Sequence, residues 1–130
     1  MTKLKAVLWI VAVSQLVLGV LTLLAPATFF GWMGLTIPPE NNQYMLGMLA
    51  ARFIAYGLGM AWLARMRTPD RFWIRNMVLV QLIDFAVGAF YLANGTISVA
   101  VAAFPMFNAA LFASLLWLWG GRKDAADAAA

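Results

Sequence analysis

ISVAVAAFPMFNAALFASLLWLW, residues 97–119, is a run of 23 residues that contains no charged side chain. As an α-helix rising about 1.5 Å per residue it would be about 35 Å long, enough to cross the hydrocarbon core of a bilayer. Three further stretches are also long and predominantly apolar, at about residues 4–25, 44–63 and 76–93. The sequence therefore predicts an all-α integral membrane protein in which four helices form a bundle.

The overall composition agrees with a membrane protein. The 130-residue chain is 65% hydrophobic and 11% charged, whereas ordinary soluble domains are about 45–50% apolar and about 25% charged. The connections between the apolar stretches are too short to hold a soluble domain, so we expect residues 1–130 to form one transmembrane domain. The first stretch is longer than the apolar part of a typical signal peptide, and we interpret it as a retained helix.

The residue types that most metal and redox sites need are missing. The chain contains no cysteine and no histidine, so it has no thiolate nucleophile and lacks the commonest metal and haem ligand. The eight methionines could suggest copper, but without cysteine or histidine they fit gap-filling in an apolar core better. We therefore expect no metal and no cofactor.

The positive charges lie at three places along the chain. Eight of the nine lysines and arginines are near the N-terminus, between the second and third stretches, or at the C-terminus: Lys3, Lys5, Arg65, Arg67, Arg71, Arg75, Arg122 and Lys123. The positive-inside rule then places both termini and the middle loop in the cytoplasm. We interpret the net charge of +4 as a topology signal rather than a nucleic-acid surface. The alternative is that the basic loop attracts anionic headgroups of the lipid bilayer.

Two connecting segments, one after the first apolar stretch and one between the second and third, carry specific structural predictions. Residues 26–43, PATFFGWMGLTIPPENNQ, are too apolar for a solvated loop and too short to span. We expect Pro26 to end the first helix, with a short helix or cap in the outer interface and a polar turn at residues 38–42. In the basic loop, we interpret Asp70 as a solvated charge.

Small residues recur every four positions in the second stretch, at Gly47, Ala51, Ala55 and Gly59. Such a ridge lets another helix approach closely in a membrane. We predict that these four residues form a helix-packing surface, which is called the small-residue ridge below.

Arg52 and Asp84 are the only charges in the interior of the four apolar stretches, since Lys5 lies at the N-terminal edge of the first stretch. A lone charge near the bilayer centre costs about 2.5–3.5 kcal/mol on insertion scales, so we expect these two side chains to face each other. At about 1.5 Å per residue, each helix brings one strongly polar residue to a depth of about 12–16 Å from its outer end. The predicted polar cluster comprises Gln15, Arg52, Tyr56, Gln81, Asp84 and Asn108.

Two interpretations of this cluster stay open. A buried clasp would fix the register of the helices, at about 0.6–2 kcal/mol for each polar contact. A pocket near the membrane midplane would bind a small ligand or relay protons, in space left by Gly19, Gly57, Gly59 and Gly88. A register lock does not need a polar residue from all four helices at one depth, so the pocket remains an alternative to the clasp.

The run ARFIAYGLG, residues 51–59, follows a first span ended by proline and a turn that carries asparagines. This arrangement resembles the small bacterial four-helix proteins of the DoxX-like superfamily, and the matching positions are Arg52, Tyr56, Gly57 and Gly59. The resemblance implies a four-helix fold in a bacterial inner membrane. It also implies a non-catalytic or poorly defined subunit tied to thiosulfate or quinone redox partners, although the lack of cysteine argues against direct sulfur chemistry here.

Three function hypotheses follow. The first is a non-catalytic accessory or structural subunit, or a small lipid- or quinone-binding partner, within a larger membrane complex or a homo-oligomer. The second is a proton-linked transporter in which Asp84 titrates beside Arg52. The third and least favoured is a membrane isomerase-type enzyme with Asp84 as general acid and base.

Overall fold

The computed structural model describes residues 2–120. It contains five helices: α1 (Lys3–Leu24), α2 (Pro26–Met33), α3 (Glu40–Arg65), α4 (Arg71–Ala93) and α5 (Val99–Gly120). Residues 2–120 form no strand, and the predicted all-α class is confirmed. All of these helices except α2 are long and apolar enough to cross a membrane, which indicates a multi-pass membrane protein. Arg122 and Lys123, part of the predicted topology signal, lie outside the described residues.

The predicted short helix after the first span is present as α2. Proline stands at its first position, where the missing backbone N–H costs nothing because it would have no partner within the helix. Gly34 ends α2 with a φ of 74°, a left-handed conformation that glycine adopts without strain. None of the α2 side chains is buried. Its position in a membrane interface stays a prediction.

The starts of α3 and α4 correct the predicted boundaries. α3 begins at Glu40, within the segment predicted as a polar turn, and Pro39 is its N-cap residue. α4 begins at Arg71 instead of about residue 76, and Asp70 caps it: the carboxylate accepts a 2.8 Å hydrogen bond from the backbone N of Phe72. A polar first turn extends α3 beyond its apolar stretch, and residues 71–75, which have an arginine at each end, extend α4. Asp70 is therefore a capping residue as well as a loop charge.

We expect Asp70→Ala to lower the free energy of unfolding by about 1 kcal/mol, because the first turn of α4 loses its side-chain acceptor. Asp70→Asn keeps an acceptor oxygen and should lose much less. Denaturant titration of helical circular dichroism in one detergent measures both variants. Equal losses for alanine and asparagine would contradict the capping role.

The described chain divides into two compact units, and Leu8–Met66 is one of them. In this unit α1 and α3 run antiparallel and meet at two glycines. A Cβ on Gly19 would lie 2.6 Å from Ile54 Cγ1 and 3.2 Å from the Ala50 carbonyl oxygen. A Cβ on Gly57 would lie 2.7 Å from Leu16 Cγ. The two helices are therefore in direct backbone-level contact at both points.

The buried face of α1 follows the helical period. Its members recur at intervals of three or four residues, as one face of an α-helix requires: Leu8, Val11, Ala12, Gln15, Gly19 and Thr22. This face includes Gln15, the predicted polar residue of the first span.

The second unit combines the N-terminal residues up to Val7 with the chain from Arg67 onward. Here α4 packs against α5. A Cβ on Gly88 would lie 2.8 Å from Met106 Cγ, and one on Gly120 would lie 2.5 Å from Ile74 Cγ2. These two contacts, one near each end of α4, show that the two helices run antiparallel along much of their length.

Candidate functional site

Gln15, Arg52 and Tyr56 belong to the unit Leu8–Met66. Gln15 is buried, with 4% of its surface exposed, and Tyr56 is half-buried. The glycine contacts fix the register of α1 and α3, which places Gln15 level with Tyr56 and Arg52 level with Gly19. Two polar residues of the predicted cluster thus share one level, and Arg52 lies about one turn away along α3.

The Arg52 side chain is exposed on α3. Its Nη1 donates a 2.8 Å hydrogen bond to the carbonyl oxygen of Met48, one turn earlier in the same helix. A guanidinium carries five N–H donors. The bond to Met48 therefore holds the side chain along α3 while leaving capacity for a second acceptor.

Gln81, Asp84 and Asn108 belong to the other unit. Gln81 is buried, with 4% of its surface exposed, and its Nε2 donates to the Met77 sulfur at 3.4 Å. A thioether is a weak acceptor, so this contact satisfies the amide poorly. Asn108 is half-buried on α5.

Asp84 lies on an exposed face of α4. The residues around it, from Leu82 to Val87, are all exposed and, Asp84 apart, apolar. The contacts of Gly88 and Gly120 set the register of α4 and α5, and this register places Asn108 within about 3 Å of the level of Asp84 along the helix axis. A carboxylate therefore stands in an otherwise apolar, exposed surface.

Each unit thus holds two polar residues near a shared level: Asp84 with Asn108, and Gln15 with Tyr56, while Arg52 lies about one turn from the level of Gln15. The Arg52–Asp84 pair joins residues of different units, and it stays a prediction. The same is true of the clasp and of the pocket. One argument for the pocket weakens, because Ile54, Leu16 and Met106 occupy the space beside Gly19, Gly57 and Gly88.

The small-residue ridge does not form the contact between α1 and α3. Ala51, Ala55 and Gly59 are exposed, and no described atom lies within 4 Å of a Cβ placed on Gly47 or Gly59. The contact runs instead through Ala50, Ile54 and Gly57, on a different face of α3. A role for the ridge in packing against a helix outside this chain stays a prediction.

One further buried polar group lies outside the predicted polar cluster. Thr22 is 2% exposed, and its hydroxyl oxygen has no hydrogen-bond partner among residues 2–120. The signal for it was its spacing of seven residues from Gln15, which places both residues on one face of α1.

No protein-family model, no curated protein and no solved structure matches this chain. Membership of the DoxX-like superfamily therefore stays a prediction that rests on residues 41–59.

Proposed function

We propose that this chain is a non-catalytic, multi-pass membrane protein that serves as an accessory subunit of a larger membrane assembly. Its location would be the inner membrane of a bacterium. Both termini and the loop between α3 and α4 would lie in the cytoplasm, because eight of the nine lysines and arginines lie near the termini or around this loop.

The exposure of Arg52 and Asp84 carries the proposal. Both lie on exposed faces of helices that are apolar enough to span a membrane. A charge facing acyl chains costs about 2.5–3.5 kcal/mol, and such residues accordingly pair with one another or face a polar interior. An assembly that covers these faces supplies the missing environment, either by closing the Arg52–Asp84 pair or by giving each charge a partner on a neighbouring subunit.

The apolar surface is consistent with this role. Large aromatic side chains are widely exposed on α3, α4 and α5, including Trp62 at 70%, Phe90 at 64% and Phe104 at 75%. Such surfaces suit acyl chains, the ring of a quinone or an apolar helix of another subunit. A catalytic role has less support, because a chain without cysteine and histidine lacks the usual nucleophile and base.

Purification from native membranes in a mild detergent tests the proposal. We expect wild-type protein to retain partner polypeptides in fixed ratio, and Arg52→Ala or Asp84→Ala to lower that retention about fivefold, since each leaves a partner charge uncompensated. If the two charges pair, the double variant should retain more than either single variant. Retention is measured by quantitative mass spectrometry of the eluted complex.

Glu40→Ala and Arg75→Ala are matched controls, because each removes one exposed charge near the start of a helix. Wild-type behaviour of both controls is expected. A chain that elutes alone, with all variants alike, would contradict the accessory role. Retention that is unchanged while Asp84→Asn abolishes pH-linked flux in liposomes would favour the proton-linked transporter instead.

A further inference from the structure

A cavity of about 480 Å³ lies within the unit that contains the N-terminal residues and the chain from Arg67 onward. Its walls come from four segments: the start of α1, the loop that follows α3, the first turn of α4, and the last residues of α5. The cavity opens to the surface, since Lys3, Arg67 and Thr68 in its walls are exposed.

The charges that line this cavity have one sign. Lys3, Lys5 and Arg67 contribute to its walls, and the described lining residues include no carboxylate. The nearest acidic residue in the sequence is Asp70, whose carboxylate already accepts the backbone N–H of Phe72. Three cations around one space repel each other, so an anion in that space lowers their electrostatic free energy.

The walls are amphipathic in a way that suits a lipid headgroup. Lys3 Nζ lies 5.8 Å from the centroid of the Trp119 ring, within the range of a cation–π contact. The inner wall is apolar and includes Ile74, which is 1% exposed. The cavity thus has cations at its opening and indole and aliphatic groups in its walls. This arrangement is complementary to a ligand in which a charged group is attached to an apolar chain.

We propose that this cavity binds the phosphate of an anionic phospholipid at the cytoplasmic surface of the membrane. Arg67 supplies a planar guanidinium that can hold two phosphate oxygens at once, and Lys3 and Lys5 supply point charges. The inference rests on the membrane placement in the proposed function, but not on the accessory role. The chemistry recognised is a phosphate group, which a free phosphate ion also carries, and the experiment separates the two sources.

The test uses isolated protein in nanodiscs of mixed phosphatidylcholine and phosphatidylglycerol, with the lipids retained on release counted by native mass spectrometry. We expect Lys5→Gln/Arg67→Gln to retain about tenfold less phosphatidylglycerol than wild type. Arg65→Gln/Arg75→Gln removes the same charge from residues that do not line the cavity, and it should stay near wild type. Equal losses in both double variants would overturn the proposal, since they would reflect general surface attraction.

A second measurement uses only the wild-type protein, so its result does not depend on whether a variant folds. A photoactivatable phosphatidylglycerol should label residues 2–5 and 67–69 of wild-type protein more than residues 71–73, a basic segment that does not line the cavity. Labelling spread evenly over both segments would overturn the proposal.

The free-ion source is tested with inorganic phosphate. It should displace no phosphatidylglycerol and should not bind saturably in discs of phosphatidylcholine alone. Saturable binding there, lost in Lys5→Gln/Arg67→Gln, would overturn the lipid assignment. Failure of the accessory role leaves these results intact because the isolated protein is used, whereas failure of membrane insertion would appear as protein missing from the disc fraction.

Discussion

Gly19→Ala is expected to lower the free energy of unfolding by about 1–3 kcal/mol, as overpacking of a close contact does. The added methyl group would lie 2.6 Å from Ile54 Cγ1, 3.1 Å from the Ile54 backbone nitrogen and 3.2 Å from the Ala50 carbonyl oxygen. A side chain can rotate away, but the two backbone atoms move only if the helices separate. The sign of the effect is informative, because alanine otherwise favours a helix over glycine by about 1 kcal/mol.

Gly59→Ala is the matched control for this prediction. No described atom lies within 4 Å of a Cβ at Gly59, so this variant should be neutral or more stable. Gly19→Ala/Ile54→Ala should recover part of the loss, since it removes the side-chain clash and leaves the backbone contacts. Thermal or denaturant unfolding in one detergent compares all three proteins. A Gly19→Ala variant as stable as Gly59→Ala would contradict the α1–α3 contact.

The sequence predicted the spanning helices because an apolar run long enough to cross a bilayer is a strong, local signal. Helix ends were predicted less well. The helix around residues 44–63 starts at Glu40, and the one around 76–93 starts at Arg71. Glu40 and Arg71 are charged residues at the starts of α3 and α4, and Asp70 caps α4. Each helix therefore begins before the apolar segment that hydropathy identifies.

The faces of the helices were predictable for α1 and not for α3. On α1 the spacing of Gln15, Gly19 and Thr22 by four and three residues indicates one face of a helix, and that face is buried. On α3 the four-residue period of the small-residue ridge was a good packing pattern, yet the contact with α1 uses the neighbouring face that contains Ala50 and Gly57. A pattern on one helix shows which face can pack closely, but the partner helix determines which face does.

The candidate site also combines features that the sequence predicts with features that it does not. The level of each polar residue follows from counting along a helix, and the register within each unit keeps Gln15 beside the level of Tyr56 and Asn108 near that of Asp84. The cavity near Lys3, Lys5 and Arg67 could not be found this way. It is built from residues near the N-terminus, after the end of α3 and at the end of α5, which are far apart in the sequence. The sequence indicated these cations only as a topology signal or, for the basic loop, as a general attraction for anionic headgroups.

Leu116→Ala is expected to lower the free energy of unfolding by about 1–3 kcal/mol. Leu116 is fully buried on α5. In a soluble core such a truncation costs about 2–5 kcal/mol, a sum of the lost transfer free energy and the cavity left behind. Acyl chains are as apolar as leucine, so the transfer contribution largely cancels in a membrane and the packing contribution remains.

Leu118→Ala is the control, because Leu118 lies two residues further along α5 and is 48% exposed. It should change stability by less than about 0.5 kcal/mol. Unfolding of both variants is followed by circular dichroism during titration with a denaturing detergent. Equal effects would contradict the packing of α5. A loss near the upper end of the soluble range, about 4–5 kcal/mol, would mean that the buried face of α5 leaves water on folding, and it would contradict the assignment of α5 as a membrane span.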